Sequence, residues 1–248
     1  MKRPLHSWRN VLGFWGCSLF SLSRLAAFSA DALIAVPISP DSRISGAYTA
    51  VLEVSIFDYR GRNGAAANIP SLDVAYDFVA SHAPLFQHQL VRPSIDFPAE
   101  YHRAAKSVVP LGEYFYGQEK WNQLAGQSNA AMARLDEPLS HHRIMVFQGA
   151  VDVPEPGVWQ LSAPVDDAVG IKLNGLTVHQ RAPLGDMLSA DDVSSRFDLE
   201  FFVAGRYPFE ILFAQCEGPA GLRLLARPAR AKPATGGGWS PLTFCTTP

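Results

Sequence analysis

Val165-Asp-Asp-Ala-Val-Gly-Ile-Lys-Leu-Asn-Gly-Leu-Thr-Val178 decides the fold of this 248-residue chain. Asn174-Gly175 stands between two short apolar-polar alternations, Ile171–Leu173 and Leu176–Val178. Both turn residues tolerate positive φ, as a type I′ turn requires, so the stretch predicts a two-residue β-hairpin. Upstream, Asp166-Asp167 ends a predicted strand. Two adjacent carboxylates repel one another unless something compensates them. A hard cation with oxygen ligands does so; alternatively one Asp caps a turn while the other is solvated.

Outward from the hairpin the strand signals are regular. Ile144–Phe147, Val158–Ala163, Gly170–Leu173, Phe197–Val203, Tyr207–Ala214 and Leu222–Ala226 are separated by Pro-Gly, Asn-Gly, Ala-Gly and Gly-Pro-Ala-Gly. Such spacing predicts an antiparallel β-sandwich or barrel. Tyr48–Phe57 places Tyr48, Ala50, Leu52, Val54 and Ile56 on one strand face. Ser71 caps a short predicted helix carrying Leu72, Ala75, Tyr76 and Val79. Residues 98–140 differ in composition and read as a partly helical insertion, with Gln118–Leu135, rich in Gln, Ala, Asn and Glu, as a helical or irregular excursion. The aromatics Phe197, Phe201, Phe202, Tyr207, Phe209 and Phe213, with Trp159, read as core.

Residues 1–32 have the layout of a secretory signal. Lys2, Arg3 and Arg9 precede an apolar run, Val11–Ser23. That run is too short for the roughly 18 residues a membrane span needs. Ala30-Asp-Ala32 offers a cleavage site, and Arg24 leaves an uncleaved anchor as the alternative. The implied location is secreted, periplasmic or cell-surface, with no transmembrane span in the mature chain. Cleavage removes four basic residues and Asp31, moving the formal charge from −2 to −5. A mildly acidic chain without basic clusters excludes nucleic acid as the expected partner. Two cysteines remain, Cys216 and Cys245, and in an oxidising compartment they predict a disulfide that staples the tail, 229–248, to the body.

No GxSxG elbow, HExxH pair, Walker loop or dinucleotide-binding glycine pattern occurs. No carboxylate spacing identifies an acid/base pair, and His141-His142 reads as a solvated loop pair. The expectation is a protein that is not an enzyme. Asp186, Asp191 and Asp192 read as acids that keep a long connection soluble.

Four segments together carry a family resemblance: Phe147–Leu161 with its Pro-Glu-Pro-Gly-Val-Trp159, Val165–Gly175, Ala204-Gly-Arg-Tyr-Pro208, and Gly221-Leu-Arg-Leu-Leu225. In order and spacing they resemble the protective-antigen-type domain (the PA fourteen family). Gly46-Ala-Tyr48 and Ile95-Asp-Phe97 resemble its earlier segments, so the resemblance spans roughly 45–228. It implies an antiparallel β-sandwich found in bacterial toxins, glycosidases and yeast surface adhesins. In the adhesins an Asp pair binds Ca²⁺ that contacts the glycan, and Asp166 and Asp167 fall on that pair. The adhesins' late ligand loop corresponds to Cys216–Gly221, where Glu217 is the carboxylate, and Asn174 falls in the family's second (Asp/Asn)-Gly. The resemblance thus implies Asp166, Asp167 and Glu217 around Ca²⁺, and Asp166, Asp167 and Asn174 toward the glycan. Ala168 departs from the family's Gly after the pair. The leading expectation is a calcium-assisted carbohydrate-binding or adhesion module. The alternative is a structural subunit of an extracellular or envelope assembly, binding protein partners through 98–140.

Overall fold

The computed structural model describes residues 34–43, 52–59, 69–89, 94–97, 119, 122–123, 141–181, 189–217, 221–229 and 238–244. Asn174 and Gly175 both adopt positive φ, 48° and 80°, and close the predicted hairpin between β8 (Ala168–Leu173) and β9 (Leu176–Arg181). β8 lies against β11 (Gly205–Glu217), which in turn pairs along its length with β5 (His141–Val153). Beyond β5 come β2 (Glu53–Asp58) and β3 (Phe86–Gln89), giving a six-stranded sheet in the order β3-β2-β5-β11-β8-β9.

A second sheet faces it. Its order is β1 (Val36–Ile38), β10 (Arg196–Phe201), β6 (Gly157–Ser162), β13 (Leu225–Pro228) and β14 (Ser240–Pro241). β1 joins β10 in parallel, whereas the other pairings of this sheet are antiparallel. A small third sheet pairs β4 (Asp96–Phe97), β12 (Gly221–Arg223) and β7 (Val165–Asp166). The architecture is a predominantly antiparallel β-sandwich. Among the described strands no closed barrel forms.

The long strands explain why parts of the sequence read as apolar runs rather than as alternations. Met145, Phe147, Ile211 and Phe213 face the space between the sheets, where they join Leu52, Val54, Ile56, Leu161, Leu199 and Tyr207. Ile144, Val146, Leu212 and Ala214 point the other way and are buried under α1 (Leu72–Ser81). A strand covered on both faces loses the period-2 signal, because inside and outside positions are equally apolar.

The helix forms where its cap predicts. The Ser71 hydroxyl accepts from the Val74 amide at 3.3 Å, satisfying one of the open donors of the first turn. Leu72 and Ala75 then face the sheet. Gly170 is what lets the helix seat: a Cβ there would stand 2.5 Å from the Tyr76 hydroxyl. Over the same spot Lys172 Nζ lies 3.8 Å from the Tyr76 ring centroid and 3.5 Å from Glu210. Burial, and then the charge of Glu210, push the Tyr76 phenol up to about 12.

The described part of the tail is held by strand pairing and apolar packing. β14 pairs with β13, and Phe244 bridges to Val151 and packs edge-on against Phe209, 5.9 Å between centroids. Val151 lies opposite Tyr207, nine residues along β11 from Cys216. That separation is roughly 30 Å at the rise of a strand. Cys245, the other half of the expected Cys216–Cys245 disulfide, lies outside the described residues. Apolar burial of Phe244 and strand pairing anchor the described part of the tail.

Gly170→Ala is expected to cost about 1–3 kcal/mol, because the new methyl meets the Tyr76 hydroxyl and α1 must shift. Urea denaturation of the two proteins side by side measures it, and an unchanged midpoint would contradict the seating of α1.

Candidate functional site

Between Asp166 and Ala168 the chain changes sheets. Asp166 ends β7 opposite Gly221 of the small sheet, whereas Ala168 begins β8 opposite Ala214 of the large one. The two carboxylates therefore stand at a crossing point, linked by a cis peptide. Asp166 is 7% exposed and Asp167 is half-buried. The Cys216 amide donates to Asp167 Oδ2 at 2.7 Å.

Those two attachments fix both ends of the intervening connection. Cys216 is tied to Asp167, Gly221 pairs with Asp166, and the chain between them is 217–220. Glu217 closes β11 opposite His141, so its backbone stands one residue from the Asp167 contact. Its side chain, with residues 218–220, lies outside the described residues.

Burial is the largest influence on Asp167 and raises its carboxyl above the ordinary range. The Cys216 amide, a hydrogen bond with Asp166, and the charges of Arg181 and His142 pull it down, in that order, without cancelling the effect of burial.

Two of these neighbours were not singled out from the sequence. His142 is the second residue of β5 and is 3% exposed, which corrects the solvated-loop reading for that histidine. Its left-handed φ of 41° turns the chain there, and its carbonyl accepts from the Tyr59 amide. Arg181 closes β9 and donates through Nη1 to the Val165 carbonyl. Neither belongs to a local motif; only the pairing of β5 with β11 and of β9 with β8 carries them to the site.

Asn174 is not brought to the pair. It occupies the far end of the six-residue β8, roughly 20 Å away by strand rise, in the hairpin turn itself. Its amide donates to the Pro208 carbonyl. Asp191 and Asp192 also lie in other arrangements. Asp192 caps a 3₁₀ turn through the Ser194 amide and hydroxyl, which hold its carboxyl below the usual range. Asp191 accepts from the Trp239 indole at 3.0 Å. Asp186, the aromatics Tyr114, Phe115, Tyr116 and Trp121, and nearly all of 98–140 lie outside the described residues; Glu119, Asn122 and Gln123 within it are helical. Of the aromatic group read as core, Phe202 is the exception at 52% exposed, in the β10–β11 turn.

Ca²⁺ asks for six to eight oxygens. The pair presents oxygens alone, held together and partly desolvated, with less compensating positive charge than two carboxylates require. That donor chemistry suits a hard divalent ion. Among the described residues no group of three His, Cys, Asp or Glu could hold a metal, so further ligands would have to come from the 217–220 connection, from water or from a bound hydroxyl.

No family model matches the sequence, and no curated protein sequence does. Among solved structures, the PA14 domain of the antifreeze protein MpAFP is similar over 78% of this chain and 86% of its own, with 11% identity and a TM-score of 0.51. A PA14 sugar-binding domain from an RTX adhesin matches over 80% of this chain and all 100% of its own, with 16% identity and a TM-score of 0.48. The A domain of epithelial adhesin 9 from Candida glabrata, in complex with Galβ1-4GlcNAc, matches over 87% and 96%, with 10% identity and a TM-score of 0.46. What is shared at such identities is the fold. The chain is a β-sandwich of the PA14 type, the protective-antigen type to which its motifs pointed.

A further titratable group, His179 beside Arg181, contributes to the response to acid. The His179 imidazole stacks on Phe197 at 4.6 Å, and its Nε2 is buried without a hydrogen-bond partner among the described residues. Burial first, and Arg181 second, lower it from 6.5 to about 4. Protonation therefore favours the unfolded chain. The stabilisation is complete above 6.5 and is lost as pH falls toward 4, by up to about 3 kcal/mol. Asp167, raised, acts in the opposite direction on acidification, so the comparison must be made against a variant. His179→Phe is expected to flatten the loss of stability between pH 6.5 and 4, followed by urea unfolding at each pH. Parallel curves for the two proteins would refute it.

Proposed function

We propose that this protein is an exported, non-catalytic carbohydrate-binding or adhesion module. Asp166 and Asp167 hold Ca²⁺ in it, with Glu217 as a further ligand. One observation carries the reading. Two carboxylates are forced together at the point where the chain changes sheets, and burial leaves them short of positive charge. When bound, Ca²⁺ would supply that charge and offer open coordination positions to vicinal hydroxyls of a sugar. The chain's own part is to hold the two carboxylates side by side and to fix both ends of 217–220 against them. Asn174, at the other end of β8, has no part in this site.

The absence of the common catalytic patterns from the sequence accords with a binding role. The basic and apolar organisation of 1–32 supports export. Among the described residues no helix is long and apolar enough to cross a membrane.

The test is a glycan screen by calorimetry, beginning with Galβ1-4GlcNAc, run with Ca²⁺ and with EDTA. Asp166→Asn and Asp167→Asn are each expected to weaken calcium-dependent binding by about tenfold or more, since each removes a charged ligand. Binding that survives both EDTA and the substitutions, or a complete lack of glycan binding, would overturn the reading.

A further inference from the structure

One positive group that the fold places near the Asp pair is an arginine, with a permanent charge. Arg181 is the last residue of β9 and stands opposite Val169, two positions past Asp167. It is half-buried, and its Nη1 donates to the carbonyl of Val165, the residue that precedes Asp166. The side chain therefore reaches from β9 past the start of β8 to β7, along the short segment that carries both carboxylates. A guanidinium bonded to a carbonyl keeps its full charge, delocalised over a planar group, which a lysine in that place would spread less well between carbonyl and carboxylates. The influence of this charge reaches both neighbours, lowering Asp167 and opposing protonation of His179.

We propose that Arg181 is the resident counter-ion of the Asp166–Asp167 pair, and that its fixed charge sets the affinity of the site for an added divalent cation low. The second half rests on the reading of the pair as a calcium site; the first does not. In the metal-free protein Arg181 leaves the pair with a formal charge of −1 rather than −2, which makes the half-buried arrangement tenable. The same charge opposes an incoming divalent ion, because the two positive centres must share one pair of carboxylates. The site then belongs in the weak range of extracellular calcium modules, roughly 10⁻⁴–10⁻³ M. It fills where calcium is plentiful and empties where it is scarce.

The experiment uses the full chain stripped with EDTA and dialysed, with Ca²⁺ alone as the probe. In calorimetry Arg181→Gln is expected to bind Ca²⁺ about tenfold more tightly than the wild type, while Arg181→Lys, which keeps the charge, stays close to it. A residue with a merely structural role would not raise affinity on removal. Equal or weaker binding by Arg181→Gln overturns the affinity-setting role. In parallel, metal-free thermal unfolding is measured for Arg181→Gln alone, for Asp166→Asn with Asp167→Asn, and for all three together. Arg181→Gln is expected to lower the midpoint by several degrees with the carboxylates present, and by clearly less without them. The same loss in both backgrounds overturns the counter-ion assignment. If no protein of the set binds Ca²⁺ but the coupling is present, the calcium reading of the pair fails and the affinity-setting role fails with it, while the counter-ion assignment stands.

Discussion

The antiparallel pairing of β5 with β11 is the constraint on which the rest depends. It runs from Gly205 opposite Val153 to Glu217 opposite His141, and both faces of it are covered. One face supplies Met145, Phe147, Ile211 and Phe213 to the sandwich core; the other supplies Ile144, Val146, Leu212 and Ala214 to the bed of α1. A slip of one residue would exchange the two sets and put both packings wrong at once. That double penalty is why register is so firmly specified here, and why β2 and β8 can be laid on either side of the ladder.

The candidate site is a by-product of that register. The C-terminal end of β11 presents the Cys216 amide to Asp167, and the N-terminal end of β5 brings His142 beneath it. Asp166 is meanwhile claimed by the small sheet through Gly221. Two sheets thus compete for adjacent residues, and the carboxylates are left at the seam, Asp166 buried and Asp167 half-buried. Electrostatics at the seam is a balance of modest influences: burial against one amide, one arginine and one histidine. Removing any one changes the balance without removing the arrangement.

Much of the fold was legible because its determinants are local. The β8–β9 hairpin follows from Asn174-Gly175, and α1 follows from Ser71 and the spacing of Leu72 and Ala75. The ordered run of Gly, Pro and aromatic residues placed the chain in a sandwich of the right type. The site was legible only in its centre. Asp166-Asp167 is contiguous in sequence, whereas Arg181 and His142 reach it through strand pairing, which no local pattern encodes. Asn174 failed as a ligand for the converse reason: eight positions in sequence, spent on an extended strand, become a long distance. The anchor of the tail was not legible either: Phe244 is pinned beside Val151 by a strand bridge that no local pattern encodes.

That pinning gives the domain a direction. Phe244 is buried at the end of the β5–β11 ladder remote from the Asp pair, edge-on against Phe209. The last described residue is therefore held at the pole opposite the acidic seam. Anything joined beyond that residue, whether a surface, a scaffold or a neighbouring module, would act as a tether on one pole and leave the opposite pole presented to the surroundings.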